Sequence, residues 1–226
     1  MPSLTPLLAS HGRLLLLDAA SRRVQVGLLQ PDAPAVWHGT EQEAGAGLFA
    51  GAHIVLKTAG LGLSDLDAFV FCEGPGSMLG TRTIAMALRT WLVLKPRPVY
   101  AYQSLAVAGR FAWTQQACRI AVIADARRDT WHCQTVGADG RMPPLQRVPA
   151  DGLPAGKLVT LENFRAWSRP PRPCATSGYD LAKIIPAVAD GEYFHAAETP
   201  DAFQHEAPEY RKWSAQIHRA PTNVRV

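Results

Sequence analysis

The chain has 226 residues, 47% of them hydrophobic, which is enough for one large domain or two small ones. Its 23 basic residues only slightly exceed its 19 acidic ones, which gives a net charge of +4, and they are spread along the sequence. This balance excludes a basic nucleic-acid-binding tail and indicates a mildly basic surface.

Cysteine usage and apolar runs predict a cytoplasmic protein. No two of the four cysteines form a C-x-x-C pair, and three lie in apolar, strand-like contexts, as buried reduced thiols do. The apolar run 14–17 is too short for a signal sequence, and no run approaches membrane length. Residues 1–12 are expected to be a loose N-terminal extension.

The first half of the chain predicts an antiparallel meander followed by parallel crossovers. Such an order is typical of a mixed sheet with helices packed against it. Ser77 is expected to cap the second helix, because its hydroxyl can accept a hydrogen bond from a free backbone N–H. The predicted strands are 13–20, 24–29, 35–39, 68–72 and 98–102, and the predicted helices are 44–59, 77–94 and 103–113.

The second half repeats the opening pattern. A strand at 119–127 contains Asp125 near its end, as the first strand contains Asp18, and a second strand follows at 130–136. The recurrence predicts a duplicated domain, with subdomains 13–108 and 109–226. Three segments are less clear: 140–173 is rich in Pro and Arg, 174–180 resembles a strand-to-helix turn, and 200–226 is polar without a period.

The stretch FVFCEGPGSMLGTR, residues 69–82, is the strongest candidate for a ligand-binding loop. It fails the Walker pattern, since no spacing of its glycines fits and no Lys follows, and it fails the dinucleotide pattern because Leu79 stands where a third Gly is needed. A helix N-terminus assisted by Arg82 could still bind an anion. The alternative is a simple chain turn, with Arg82 paired to an acid such as Glu73.

The same stretch resembles a family signature. GPGSMLGTR is similar to the G-P-G-S-F-T-G-[LV]-R motif of the TsaB (YeaZ) family. The departures are Met78, Leu79 and Thr81. The matching residues are Gly74, Pro75, Gly76, Ser77, Gly80 and Arg82.

Four further segments resemble the family in the same order. LLLLDAAS (14–21) is similar to I-L-A-L-D-T-A-T, and LSDLDAFVFCEGPGS (63–77) to L-x-D-[IL]-D-A-[IV]-x-x-x-x-G-P-G-S. IADARRDTWHC (123–133) is similar to I-D-A-R-x-x-E-V-Y, and APEYRKW (207–213) to A-x-P-x-Y-[LV]-R. The resemblance covers nearly the whole chain and is poorest in the N-terminal extension and in 138–175.

The resemblance implies the duplicated, two-lobed α/β fold of the sugar-kinase/Hsp70/actin (ASKHA) superfamily. In that superfamily the Asp at the end of the first strand faces nucleotide phosphates or their metal, and Asp18 holds this position here. Asp18 is interpreted either as a vestige of that site or as a strand-end cap. Asp125 and Arg127 are expected to form a local ion pair that fixes the second strand turn.

The resemblance also implies an accessory role without catalytic residues. TsaB proteins bind TsaD and are helped by the ATPase TsaE, and TsaD transfers the threonylcarbamoyl group to a tRNA adenosine beside the anticodon. The expected partners are therefore a TsaD-like protein and a TsaE-like ATPase, with tRNA met only through the complex. The chain alone is expected to form a homodimer. It is not expected to contact a membrane.

Catalytic motifs are missing from the sequence. No two of its seven histidines are four residues apart, so an H-x-x-x-H metal site is absent, and no G-x-S-x-G supports a protease. No cofactor is expected beyond weak ATP or ADP binding at a subunit interface. The rival hypotheses are an ATP-dependent phosphotransferase, with Asp18 on the metal and Ser77 and Gly76 on phosphate, and a homodimeric remnant of the family.

Two helices carry stripes of small residues, which indicate close backbone approach by another element. One explanation is packing within the monomer. The other, which the resemblance favours, is packing against a partner's matching helices, and it predicts that Gly51→Leu or Gly80→Leu breaks a dimer without unfolding the chain. The candidate interface residues are Ala44, Gly47, Gly51 and Val55 on the first helix and Gly80, Thr83 and Ala87 on the second.

Overall fold

The structure is a computed structural model and describes residues 1–204, so the motif at 207–213 lies outside the described residues. Five helices and eleven strands alternate along this part of the chain. The helices are α1 (Leu4–His11), α2 (Ala44–Thr58), α3 (Met78–Leu94), α4 (Ser104–Gln116) and α5 (Leu181–Ala187). The strands are β1 (Leu14–Asp18), β2 (Val24–Gln30), β3 (Ala33–Thr40), β4 (Ala68–Gly74), β5 (Val99–Gln103), β6 (Ile120–Asp125), β7 (Thr130–Val136), β8 (Gln146–Pro149), β9 (Lys157–Leu161), β10 (Ala175–Ser177) and β11 (His195–Ala196).

Two mixed sheets repeat one topology. The strand order is β11-β5-β4-β1-β2-β3 in the first sheet and β10-β9-β6-β7-β8 in the second. In each sheet the opening strand pairs antiparallel with the next strand and parallel with the strand that follows the meander. The predicted internal duplication is therefore confirmed. The boundary between residues 108 and 109 stays a prediction, and β11 joins the first sheet although it lies late in the sequence.

The continuous apolar run of β1 follows from its position in the molecule. All five of its residues are buried, because helices α2 and α3 cover one face of the first sheet and helix α4 covers the other. A strand buried on both faces needs apolar residues at every position rather than at alternate ones. Helix α4 also contacts β6 and β7, so the two sheets share one core.

The structure corrects the expectation for the N-terminal segment and assigns strands to a segment that the sequence left unclear. Residues 4–11 form helix α1 rather than a loose extension, with Leu4 and Leu7 buried and the Leu4 N–H donating to the Ala189 carbonyl (2.8 Å). Strands β8 and β9 lie in the Pro- and Arg-rich segment, and β9 extends the second sheet beside β6. No helix within residues 1–204 is long and apolar enough to cross a membrane.

Candidate functional site

The glycine-rich loop between β4 and α3 packs against the chain's own β1–β2 turn. Gly74 and Gly76 have φ angles of 120° and 158°. A Cβ on Gly76 would lie 2.3 Å from the carbonyl oxygen of Ala20, and the Ser77 N–H donates to that same oxygen (2.7 Å). The close backbone approach that requires glycine here is therefore made to another turn of this chain.

Side-chain hydroxyls fix the two ends of this loop. Ser104 at the start of α4 donates to the Pro75 carbonyl (2.5 Å) from a fully buried position. Ser77 accepts a hydrogen bond from the Gly80 N–H (3.3 Å), which confirms the predicted N-cap of α3. Arg82 is exposed and makes no ion pair with any carboxylate in residues 1–204.

Glu73, just before the loop, pairs with His195 rather than with Arg82. The Nε2 atom of His195 lies 3.2 Å from one Glu73 oxygen, and the Gln103 amide donates to the other (3.2 Å). The suggested Arg82–Glu73 pair is therefore wrong. The hydrogen bond to Glu73 raises the pKa of His195 above its usual 6.5, and partial burial opposes this shift.

This pair predicts a measurable pKa change. Glu73→Gln is expected to lower the pKa of His195, because an amide oxygen stabilises the imidazolium less than a carboxylate does. The raised pKa means that the pair stabilises the fold below pH 6.5 and loses this contribution as the pH rises through the folded-state value. An NMR titration of the His195 ring protons tests it. An unchanged midpoint would contradict the pairing, and a change at His53, on the exposed side of α2, would reveal a wider perturbation.

Asp18, at the end of β1, is enclosed by two tyrosines. The hydroxyls of Tyr102 and Tyr179 both donate to its Oδ2 atom at 2.7 Å, and the Ala20 N–H donates to Oδ1 at 2.8 Å. Asp18 itself is fully buried. A phosphate or metal reaching this carboxylate would have to displace both tyrosines.

Burial controls the protonation of this cluster. It raises the pKa of Asp18, and hydrogen bonds from Tyr102, Tyr179, Ala20 and Cys72 oppose that shift. Burial, followed by the charge of Asp18, raises the pKa values of Tyr102 and Tyr179 well above 10.0. Burial likewise raises the pKa of the neighbouring Cys72 well above 9.0. The tyrosines therefore stay protonated and act as donors.

The Asp18 cluster also ties the two halves of the molecule together. Tyr179 follows β10 of the second sheet, while Tyr102 lies on β5 of the first. Beside them, the buried Gln25 donates to the Tyr179 carbonyl and accepts from the Leu181 N–H, both at 2.9 Å. Asp18 and Gln25 thus connect the first sheet to the start of α5. The interpretation of Asp18 as a strand-end cap describes its bond to Ala20.

Asp125, the equivalent residue of the second repeat, binds backbone instead of a guanidinium. Its Oδ1 atom accepts from the Arg127 N–H (2.6 Å), while the Arg127 guanidinium lies over the Trp167 ring, 5.2 Å from its centroid. The predicted Asp125–Arg127 ion pair is therefore wrong. The backbone bond fixes the turn, as the ion pair was expected to do.

The small residues of α2 and α3 make room for the chain's own sheet. A Cβ on Gly51 would lie 2.9 Å from Val26, and one on Gly80 would lie 2.1 Å from the carbonyl oxygen of Ala19. Packing within the monomer therefore explains these glycines, and the explanation by a partner is corrected. Of the seven candidate interface residues, Ala44 and Thr83 are half-buried. The other five are buried within this chain: Gly47, Gly51, Val55, Gly80 and Ala87.

The opposite face of the same two helices carries large exposed apolar side chains. Leu79, Met86 and Val93 lie at seven-residue spacing on α3 and form one line, with Val93 84% exposed. Phe49 on α2 is 53% exposed and contacts the edge of Trp91. The apolar strip is defined here as Phe49, Leu79, Met86 and Val93. The heptad spacing could have identified its three α3 residues from the sequence alone.

No group of His, Cys, Asp and Glu side chains in residues 1–204 is arranged to hold a metal ion. No family model and no curated protein matches the chain. Two solved structures resemble it over most of its length. YeaZ from Pseudomonas aeruginosa is 24% identical, with 78% of this chain and 89% of that chain covered and a TM-score of 0.60.

The second structure is described as an uncharacterized protein with similarity to peptidase YeaZ from Pseudomonas aeruginosa. It is 23% identical, covers 88% of this chain and 99% of its own, and has a TM-score of 0.62. Both likenesses span the two repeats. The predicted fold class, a duplicated α/β domain with mixed sheets flanked by helices, is confirmed, and the chain has the YeaZ fold.

Proposed function

We propose that the chain is a TsaB-like scaffold that binds a TsaD-like protein and supports threonylcarbamoylation of tRNA adenosine beside the anticodon. The exposed apolar strip on α2 and α3 carries the proposal. Large apolar side chains at heptad spacing on one exposed helix face are typical of a helix that meets another helix. The YeaZ fold and the GPGS signature agree with this role.

The Asp18 cluster supports an accessory role over a catalytic one. A phosphotransferase needs a carboxylate that can reach a metal or phosphate, whereas Asp18 is fully buried beneath Tyr102 and Tyr179. The family resemblance assigns Asp18 to nucleotide chemistry. In this chain Asp18 instead connects the two halves of the molecule through Tyr102 and Tyr179. Binding of a TsaE-like ATPase belongs to the assembled complex.

A charge placed in the apolar strip tests the interface. Met86→Glu is expected to weaken association with the TsaD-like protein of the same organism at least about tenfold, because an unpaired carboxylate would be buried on binding. Stability should change little, since Met86 is 57% exposed. Light scattering of the mixture, with the wild type expected as a one-to-one complex, is the measurement.

Gln115→Glu on α4 is the matched control, because it adds the same charge at an exposed position on another helix. It should leave the complex intact. Equal weakening by both variants would point to net charge rather than to the strip. A wild-type homodimer that ignores the TsaD-like protein would contradict the proposed function and favour the homodimeric remnant.

A further inference from the structure

An exposed tryptophan stands over the turn between β6 and β7. Trp167 is 66% exposed, although an indole is among the side chains most strongly driven to burial. The guanidinium carbon of Arg127 lies 5.2 Å from the centroid of its ring. The arginine therefore contacts the indole, while much of the ring remains open to a ligand.

Asp125 holds the tryptophan in place. Its Oδ2 atom accepts from the backbone N–H groups of Trp167 (2.6 Å) and Ser168 (2.5 Å), while Oδ1 accepts from that of Arg127 (2.6 Å). One carboxylate thus joins the β6–β7 turn to the loop after β9. An exposed aromatic on a fixed backbone loses little conformational entropy when a ligand stacks on it.

The β6–β7 turn has an unusual backbone. Arg127, Arg128 and Asp129 have φ angles of 65°, 49° and 55°, a left-handed conformation that few non-glycine residues adopt. Thr130 supports the turn, because its N–H and Oγ1 both donate to the Arg127 carbonyl at 3.0 and 2.7 Å. Backbone strain of this kind concentrates at binding sites.

Five exposed arginines lie on the three segments that hydrogen bonds join at the Trp167 loop. Arg22 approaches the loop through its N–H, which donates to the Asn163 carbonyl (2.8 Å), and Arg22 and Arg165 line one cavity of about 380 Å³. None of the five guanidinium groups forms an ion pair with a carboxylate of residues 1–204. These residues, called the arginine patch, are Arg22, Arg127, Arg128, Arg165 and Arg169.

The turn and the loop at 162–169 carry four arginines of the patch against three acidic residues, Asp125, Asp129 and Glu162, which is a net charge of +1. Glu41 and Glu43 also line the cavity beside Arg22 and Arg165, and Glu43 caps α2 through the Gly45 and Ala46 N–H groups. Arginines around an exposed indole match a ligand that has both phosphates and aromatic faces.

We propose that the arginine patch and Trp167 bind a single-stranded or looped segment of RNA. The guanidinium groups contact phosphates, and an unstacked base lies on the open part of the indole. The choice of RNA over DNA rests on the proposed function, but binding itself does not require the TsaD-like partner. An acidic protein would use the same charges but would not need an exposed planar ring.

Fluorescence anisotropy of the full chain with a labelled RNA hairpin carrying an unpaired loop tests the proposal. Trp167→Ala is expected to weaken binding about tenfold, the usual effect of losing one stacking platform. Arg128→Gln should weaken it less, and should reduce the slope of log affinity against log salt by about 0.7 if one phosphate contact is lost. A fully paired RNA duplex without a loop should bind more weakly than the looped hairpin.

Arg141→Gln is the matched control, because it removes one positive charge as Arg128→Gln does. Arg141 is exposed and lies beyond the other end of β7. It should leave the affinity for looped RNA unchanged. Equal effects of Arg141→Gln and Arg128→Gln, equal affinity for paired and looped RNA, or no binding would overturn the proposal.

The same variants separate this proposal from the proposed function. Trp167→Ala should leave association with the TsaD-like protein unchanged, and Met86→Glu should leave RNA binding by the single chain unchanged. Loss of partner association in Trp167→Ala would assign the patch to a protein interface and overturn the RNA assignment. Failure of the wild type to meet the partner, with RNA binding intact, would contradict the proposed function alone.

Discussion

Asp18→Ala is expected to lower the free energy of unfolding by at least about 3 kcal/mol, because it leaves three buried donors without an acceptor and each costs about 1–3 kcal/mol. The donors are the hydroxyls of Tyr102 and Tyr179 and the N–H of Ala20. None can recover its hydrogen bond from water without opening the core. Urea denaturation of the wild type and the variant measures the difference.

Tyr179→Phe and Asp18→Asn are the matched variants. Tyr179→Phe removes one donor and keeps the ring, so it should cost about 1.5–3 kcal/mol, the range for a hydrogen bond to a charged group. Asp18→Asn keeps an acceptor of the same shape and should cost less than Asp18→Ala. A variant Asp18→Ala as stable as the wild type would contradict the role assigned to Asp18 in joining the two halves.

The pH dependence of Asp18→Asn has a defined sign. Burial raises the pKa of Asp18, so the protonated side chain is favoured in the folded state. In the wild type its contribution to the free energy of unfolding is therefore largest below the unfolded-state pKa, near 3.8. The contribution is lost as the pH rises through the folded-state pKa. Asp18→Asn removes that titration, so the stability of the variant relative to the wild type should increase as the pH rises through this window.

The sequence predicted the position of Asp18 but not its surroundings. A strand that ends in Asp, twice in the chain, indicated the duplicated fold, because local apolar runs and turns are visible in the residues themselves. Tyr102 and Tyr179 are 84 and 161 residues away from Asp18. Nothing in the local pattern around either tyrosine indicates a buried carboxylate as its partner.

The second repeat shows why segment 140–173 was hard to interpret. Its crossovers have lost their helices: a short 3₁₀ turn (Ala150–Gly152) lies between β8 and β9, and no helix lies between β9 and β10. Helical periodicity marked the crossovers of the first repeat. Without it, the four- and five-residue strands β8 and β9 stand among prolines and arginines with no longer pattern to place them.

The arginine patch could not be predicted from charge distribution for a similar reason. Arg22 comes from the β1–β2 turn, Arg127 and Arg128 from the β6–β7 turn, and Arg165 and Arg169 from the loop after β9. In the sequence these residues are dispersed, which indicated an ordinary surface. The duplicated fold brings the three segments to one region around Trp167.

Gly80→Leu is expected to destabilise the monomer by more than about 3 kcal/mol, because its Cβ alone would collide with a backbone atom that cannot move independently. That Cβ would lie 2.1 Å from the carbonyl oxygen of Ala19, beside Asp18 at the end of β1. The clash would therefore push α3 away from the β1–β2 turn. Thermal and urea unfolding of the purified variant provide the measurement.

Thr83→Leu, one turn further along α3, is the control, since it places the same side chain at a half-buried position. It should leave the monomer folded. Normal stability of Gly80→Leu combined with loss of a dimer would restore the explanation by a partner. The spacing of small residues identifies a helix face that another element approaches closely. It does not show whether that element belongs to this chain or to another subunit, so both explanations were open from the sequence. Here the missing Cβ of Gly80 allows α3 to lie against the turn after Asp18. The glycine of the GPGSMLGTR signature therefore helps to hold the segment that carries Asp18 in place.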